Sequence, residues 1–152
     1  MTGHEEAAAD DGTTFEEIPR DECFRLLAGQ TIGRVAVADF GAAPLVVPVN
    51  FLVVGEAVIF RTDYGSKFRL AVLGEQPVSF QVDEVEPGRP SGWSVLLQGN
   101  ATEVAESEEE HLSLRPWAPG AKSHWVRIAP DVVSGRRIRL APFPGDDRGG
   151  YL

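Results

Sequence analysis

The chain has 152 residues, 43% of them hydrophobic, with three Trp and eight Phe: enough apolar material for one core and too little length for two. A formal net charge of −9 sets most of the surface against a phosphate backbone, which argues against nucleic acid and leaves room only for a small anion in a local basic pocket. A single cysteine, Cys23, excludes an intramolecular disulfide, and no Cys and His residues have zinc-ligand spacing, in keeping with a metal-free protein of the reducing cytoplasm.

Residues 1–14 are acidic and Ala-rich, without the positive start and apolar run of a secretory signal, and read as a flexible arm. Residues 18–29 form a short amphipathic helix, with Pro19 early, Asp21 and Glu22 in the first turn, and Gly29 as the stop. Strands follow at 33–39 and 44–53, joined as a hairpin through 40–43, and a third at 57–61 after a Gly55-Glu56 turn. Residues 64–73 switch to helical spacing, and 77–85 alternate as a strand with one wet face. After a loop at 87–92 comes a long strand over 93–104. The acidic run 106–110 begins a short helix ending near Arg115, and Trp117 lies in a loop. A last strand over 123–128 resumes at Val132 and Val133 beyond Pro130, and the Pro- and Gly-rich tail 141–152 is expected to be mobile. About six strands with two to three short helices, in a domain spanning 15–140, predict a closed, mostly antiparallel barrel, with a sandwich as the alternative. No segment reaches the ~18 apolar residues of a membrane helix, so a soluble protein is expected.

Chemistry concentrates in Phe60-Arg-Thr-Asp-Tyr-Gly-Ser-Lys67, where a strand gives way to a helix. Arg61 offers a bidentate fork, Thr62 and Ser66 hydroxyls, and Lys67 a point charge at the helix start. The stretch reads either as a phosphate cradle or as a loop with two solvated cations. It is neither a P-loop nor a Rossmann turn. In Pro44-Leu-Val-Val-Pro-Val-Asn-Phe51, Pro48 cannot donate to a ladder and implies an edge or a bulge, while Asn50 offers donors and an acceptor suited to a mixed polar ring edge, or simply ends a strand. Trp93 could cover a planar ligand or fill the core, and Trp117 could act as a lid or a plug. His4, His111 and His124 pair with no visible nucleophile, and no matched carboxylates suggest a glycosidase.

Taken in order, Ile32-Gly-Arg-Val35, Pro48-Val-Asn-Phe51, Phe60-Arg-Thr62, Gly65-Ser-Lys67, Val82-Asp-Glu84 and Gly92-Trp-Ser-Val95 resemble the pyridoxamine 5′-phosphate oxidase-like family. Val126-Arg-Ile128 and Ser134-Gly-Arg-Arg137 agree with its actinobacterial branch. The resemblance implies an FMN-binding split barrel of six antiparallel strands, working as a homodimer with two cofactor sites at the interface. It matches Arg61, Thr62, Ser66 and Lys67 to the phosphate site and Val49, Asn50 and Phe51 to the strand beside the isoalloxazine. Trp93, Ser94 and Gln98 would come from the second subunit. The chain is shorter than true pyridoxamine phosphate oxidases and lacks their C-terminal substrate-binding segment, so the vitamin B6 substrate is not carried over. The expected activity is hydride or electron transfer through FMN to a small molecule, with a nicotinamide as donor and no obligatory acid or base to assign as catalytic. The alternatives are flavin storage or sensing without turnover, and the deazaflavin F420 as cofactor; related branches also include haem-binding proteins.

Overall fold

Side chains that alternate between an apolar and a polar environment every second residue can bury one face of a strand, and that pattern recurs along most of this chain. A computed structural model describes residues 14–63, 67–88, 91–109, 112–114, 117 and 124–139. The elements run β1 Thr14–Glu17, α1 Arg20–Ala28, β2 Ile32–Val37, β3 Leu45–Val54, β4 Ala57–Thr62, α2 Lys67–Val72, β5 Val78–Val85, β6 Ser91–Glu103, α3 Glu106–Glu109 and β7 His124–Arg139. The expected arm and tail lie outside the described residues, apart from Thr14.

Six strands in the order β7-β4-β3-β2-β5-β6 close on themselves through a β6–β7 pairing, and every pairing is antiparallel. The barrel is therefore chosen over the sandwich. A seventh strand, β1, adds to β7 with Thr14 opposite Arg139, an element absent from the sequence reading. Two helices pack on the barrel, and α3 is a single four-residue turn.

Two prolines show how closure decides local structure. Pro48 pairs with Arg34 of β2 in unbroken register, and the β3–β4 pairs begin only at Phe51–Phe60, so the first half of β3 is a local edge rather than a bulge. Pro130 does not interrupt β7, which runs as one strand of 16 residues. Opposite it, the register shifts between Gln98 and Gly99, where a Cβ on Gly99 would stand 2.4 Å from the Ala129 carbonyl oxygen. Only glycine allows the strands to approach so closely there.

The barrel interior holds Val35, Phe51, Val58, Phe60, Phe80, Val95, Leu97 and Val126, with Phe51 and Phe80 edge to face at 4.9 Å between centroids. Helix α1 buries Cys23, Phe24 and Leu27. Burial, with Glu22 and Asp21 adding to it, pushes the Cys23 thiol up, away from a reactive thiolate. Helix α2 buries Val72 and sets Phe68 against Phe60. A smaller cluster of Ile59, Val104 and Trp125, joined by Leu52, Leu112 and Leu114, covers the outer face of β3 and β4. No described helix is long and apolar enough to cross a membrane.

Candidate functional site

Strand β4 carries Val58, Phe60 and Thr62 on its inner face, which leaves Arg61 pointing outward. Thr62 is the one polar side chain buried among the described residues. It stands opposite His124 in β7, while Arg61 stands opposite Trp125, its guanidinium carbon 5.0 Å from the indole centroid. This cation–π contact, with the Arg61 Nε shut off from solvent, fixes the side chain at the strand end. Of the remaining cradle candidates, Ser66 and the Lys67 side chain lie outside the described residues; the Lys67 backbone opens α2. With six residues, α2 is too short for its dipole to add much.

Asn50 belongs to the same outer face. Ile32 pairs with Asn50, and Arg61 pairs with Trp125; strand alternation from the inward Phe51–Phe60 pair puts both pairs on the outer face, although β3 and β4 are no longer paired at Asn50 and Arg61. The Asn50 amide donates to the Thr31 carbonyl at 3.2 Å and accepts the Trp117 backbone N–H at 2.8 Å. A cleft of about 350 Å³ opens beside it, lined by Gln30, Thr31, Phe51, Leu114 and Trp117 among others. Val49 and Phe51 point the other way, into the core, with Phe51 3% exposed. Their side chains are thus unavailable to a ligand on the outer face; only their backbone groups are.

On β6, Trp93 leans against the core and donates its indole N–H to Glu84 at 3.0 Å. Ser94 and Gln98 occupy the opposite face, with Gln98 donating to the Ser79 hydroxyl at 3.3 Å. These three do not meet on one surface of the protomer. Trp93 lines a second cavity of about 370 Å³ with Glu84, Glu86, Ser91, Arg137 and Arg139. Arg137 is held there by Glu22 at 2.8 Å, whose hydrogen bond keeps its guanidinium more firmly protonated than usual. Gln30 of the first cleft also donates to Glu84 of the second, at 3.2 Å, so the two cavities are neighbours.

The sequence model of pyridoxamine 5′-phosphate oxidase matches residues 19–137. The chain belongs to this family. An uncharacterized Mycobacterium tuberculosis protein, Rv0080, is 38% identical over 143 residues, which cover 90% of this chain and 93% of the relative, in line with the actinobacterial branch. Among solved structures, the FAD binding protein from Mycobacterium smegmatis superposes with a TM-score of 0.70 at 30% identity, covering 82% of this chain and 98% of that one. A FAD-binding protein from Mesorhizobium loti superposes at 0.66 with 25% identity, covering 84% and 98%.

In this pyridoxamine 5′-phosphate oxidase family member, three further polar residues gather at the lip of the barrel beside Thr62. Glu103, the last residue of β6, accepts from Arg69 of α2 at 3.2 Å and from His124 of β7 at 2.6 Å. Reading the sequence missed them, since Glu103 lies 34 and 21 positions from its partners and no local pattern links them. The Arg69 hydrogen bond first, and then that of His124, holds the Glu103 carboxyl below its ordinary value of 4.5. A depressed folded value means that the contact stabilises the protein above the unfolded value and is lost as pH falls through the folded one. With Glu103 about half exposed at 47%, the effect is small. The melting-temperature gap between wild type and Glu103→Gln is expected to be open at pH 7 and to close on acidification toward pH 3. A gap that stays constant over that range would assign the stabilisation elsewhere. Among the described residues no group of His, Cys, Asp and Glu is arranged to hold a metal.

Proposed function

We propose that this protein binds a flavin by its phosphate, FMN in the first reading, and that two copies form the working unit, passing hydride or electrons to a small molecule. The observation that carries this reading is the position of Arg61: a guanidinium held over Trp125 at the end of β4, on the same outer face as Asn50, which lines a cleft of about 350 Å³. The donor set fits the ligand. Arg61 supplies a planar fork for phosphate oxygens, and Thr62 ends the same strand, ahead of Ser66 in the connection and of Lys67 at the first position of α2. Gln30, Thr31 and the Asn50 strand supply polar groups beside apolar Leu114 and Trp117, the mixture that a flat heteroaromatic ring requires. When bound, the isoalloxazine supplies the redox chemistry, and the protein supplies placement and polarity.

The dimer draws support from the outer face of β2 and β3, where Ile32, Val46 and Val54 are 37%, 60% and 43% exposed around Pro48. Apolar side chains left this exposed along one face favour cover by another surface. In a second copy, Ser94 and Gln98 share one exposed face of β6 that would then approach the ligand of the first, whereas Trp93 leans the other way, against the core.

FAD is the second reading, favoured by the two structural relatives described as FAD-binding at 30% and 25% identity. Absorption between 350 and 500 nm and mass analysis of the released ligand separate FMN, FAD and F420. Anaerobic bleaching by NADH or NADPH separates turnover from storage or sensing. Purified protein that binds none of the three, or that is monomeric by light scattering when saturated with flavin, would overturn the proposal.

A further inference from the structure

The second cavity, of about 370 Å³, lies against one face of three neighbouring strands, and its polar lining comes in two rows read straight across them. In the first, Glu84 of β5 pairs with Trp93 of β6, and Trp93 with Arg137 of β7. In the second, two residues nearer the strand ends, the Glu86 N–H donates to the Ser91 carbonyl and Ser91 pairs with Arg139. Residues two apart on a strand share a face, so both rows belong to one wall. That wall is sorted by charge: carboxylates on β5, guanidiniums on β7, and an indole and a hydroxyl between them on β6.

Among the described residues, no ion pair joins the acidic column to the basic one. Arg137 is taken instead by Glu22 of α1 at 2.8 Å and Glu16 of β1 at 3.6 Å, while Arg139 has no ion pair there. Glu84 is oriented by two neutral donors, the Trp93 indole N–H at 3.0 Å and the Gln30 amide at 3.2 Å, which meet the same Oε2 and leave its charge in place. Glu86 accepts the Ser91 hydroxyl at 2.7 Å. Adjacent strands lie ~4.8 Å apart, so the two columns stand roughly 10 Å apart at the backbone, and side chains leaning in from both bracket a molecule with a few ångströms between its charges. Val85, Pro87 and the half-buried Trp93 add apolar surface for its body.

We propose that this cavity binds a small aromatic zwitterion, with its ammonium at Glu84, its carboxylate at Arg139 and its ring against Trp93. A ligand bearing both charges is attracted by both columns, whereas a plain cation or anion meets one attractive and one repulsive side. A volume of about 370 Å³ suits a molecule of amino-acid size. The cavity contains none of the residues assigned to the flavin phosphate, and the proposal does not depend on that reading.

The test is isothermal titration calorimetry at pH 7 with three probes: L-phenylalanine, which carries both charges, phenethylamine, which carries only the cation, and 3-phenylpropionate, which carries only the anion. Wild type is expected to bind phenylalanine saturably and about tenfold more tightly than either relative, the scale of one charge-assisted contact. Glu84→Gln keeps an acceptor for Trp93 and Gln30 but removes the charge; it is expected to weaken phenylalanine and phenethylamine about tenfold and to leave 3-phenylpropionate no weaker. Arg139→Gln is expected to give the mirror result, weakening phenylalanine and 3-phenylpropionate and sparing phenethylamine. Each substitution probes one column, so either serves if the other folds poorly. No saturable phenylalanine binding, equal affinities for all three probes, or phenylalanine binding untouched by both substitutions would overturn the proposal. So would phenethylamine binding as tightly as phenylalanine with Arg139→Gln silent, which would leave a site for cations only.

Discussion

Arg61→Ala is expected to weaken FMN binding roughly 10- to 150-fold, the equivalent of the ~1.5–3 kcal/mol that a hydrogen bond to a charged group contributes. The magnitude follows from where the guanidinium sits. It is partly buried and held over Trp125 at 5.0 Å, so little ordering entropy remains to be lost when a phosphate arrives. Arg61→Lys keeps the charge and gives up the fork, and is expected to recover only part of the affinity. Adding Lys67→Ala to Arg61→Ala deepens the loss to several kcal/mol if both groups meet the phosphate, each bond contributing ~1.5–3 kcal/mol. Equilibrium titration of the apoprotein measures all three variants against wild type, with melting curves confirming that each variant is folded. A double variant with undiminished FMN affinity would falsify the site.

The largest effect on stability is expected at Phe80. Its ring is fully buried, edge to face with Phe51, at the centre of the barrel, and truncation to Ala leaves a cavity that six closed strands cannot collapse to fill. Phe→Ala at such a position costs ~3–5 kcal/mol. The same ring occupies the space above Gly33, where a Cβ would stand 2.3 Å from its Cζ. Gly33→Ala therefore overpacks the site, at a cost of ~1–3 kcal/mol. Because the two residues contest one volume, Gly33→Ala combined with Phe80→Leu is expected to cost less than the sum of the single changes, a coupling that urea denaturation of the four proteins reads directly. Strict additivity would mean that the ring does not lie over Gly33.

Much of the fold was legible because a strand's alternation and a helix's face are local properties. The segments 33–39, 57–61, 77–85 and 93–104 match β2, β4, β5 and β6 to within a few residues, and the amphipathic stretches at 18–29 and 64–73 contain α1 and α2. Strand β1 was not legible: Thr14-Phe-Glu-Glu17 has little to bury, and its order comes from the free edge that β7 offers beyond the end of β4. Pro130 suggested a break for the converse reason, since only the register shift at Gly99 across the ladder lets β7 pass through it.

The proposed anion site divides along the same line. Arg61 and Thr62 could be singled out from residue type and from their place where a strand ends, both written in the chain itself. That the two point to opposite faces follows from strand periodicity once β4 is placed against the core; that Arg61 stands opposite Trp125, while Thr62 stands opposite His124, depends on the register that closure of the barrel imposes. Glu103, Arg69 and His124 belong wholly to tertiary structure. Their contacts join β6, α2 and β7, whose relative positions no local preference determines, because they are settled by burying one shared interior.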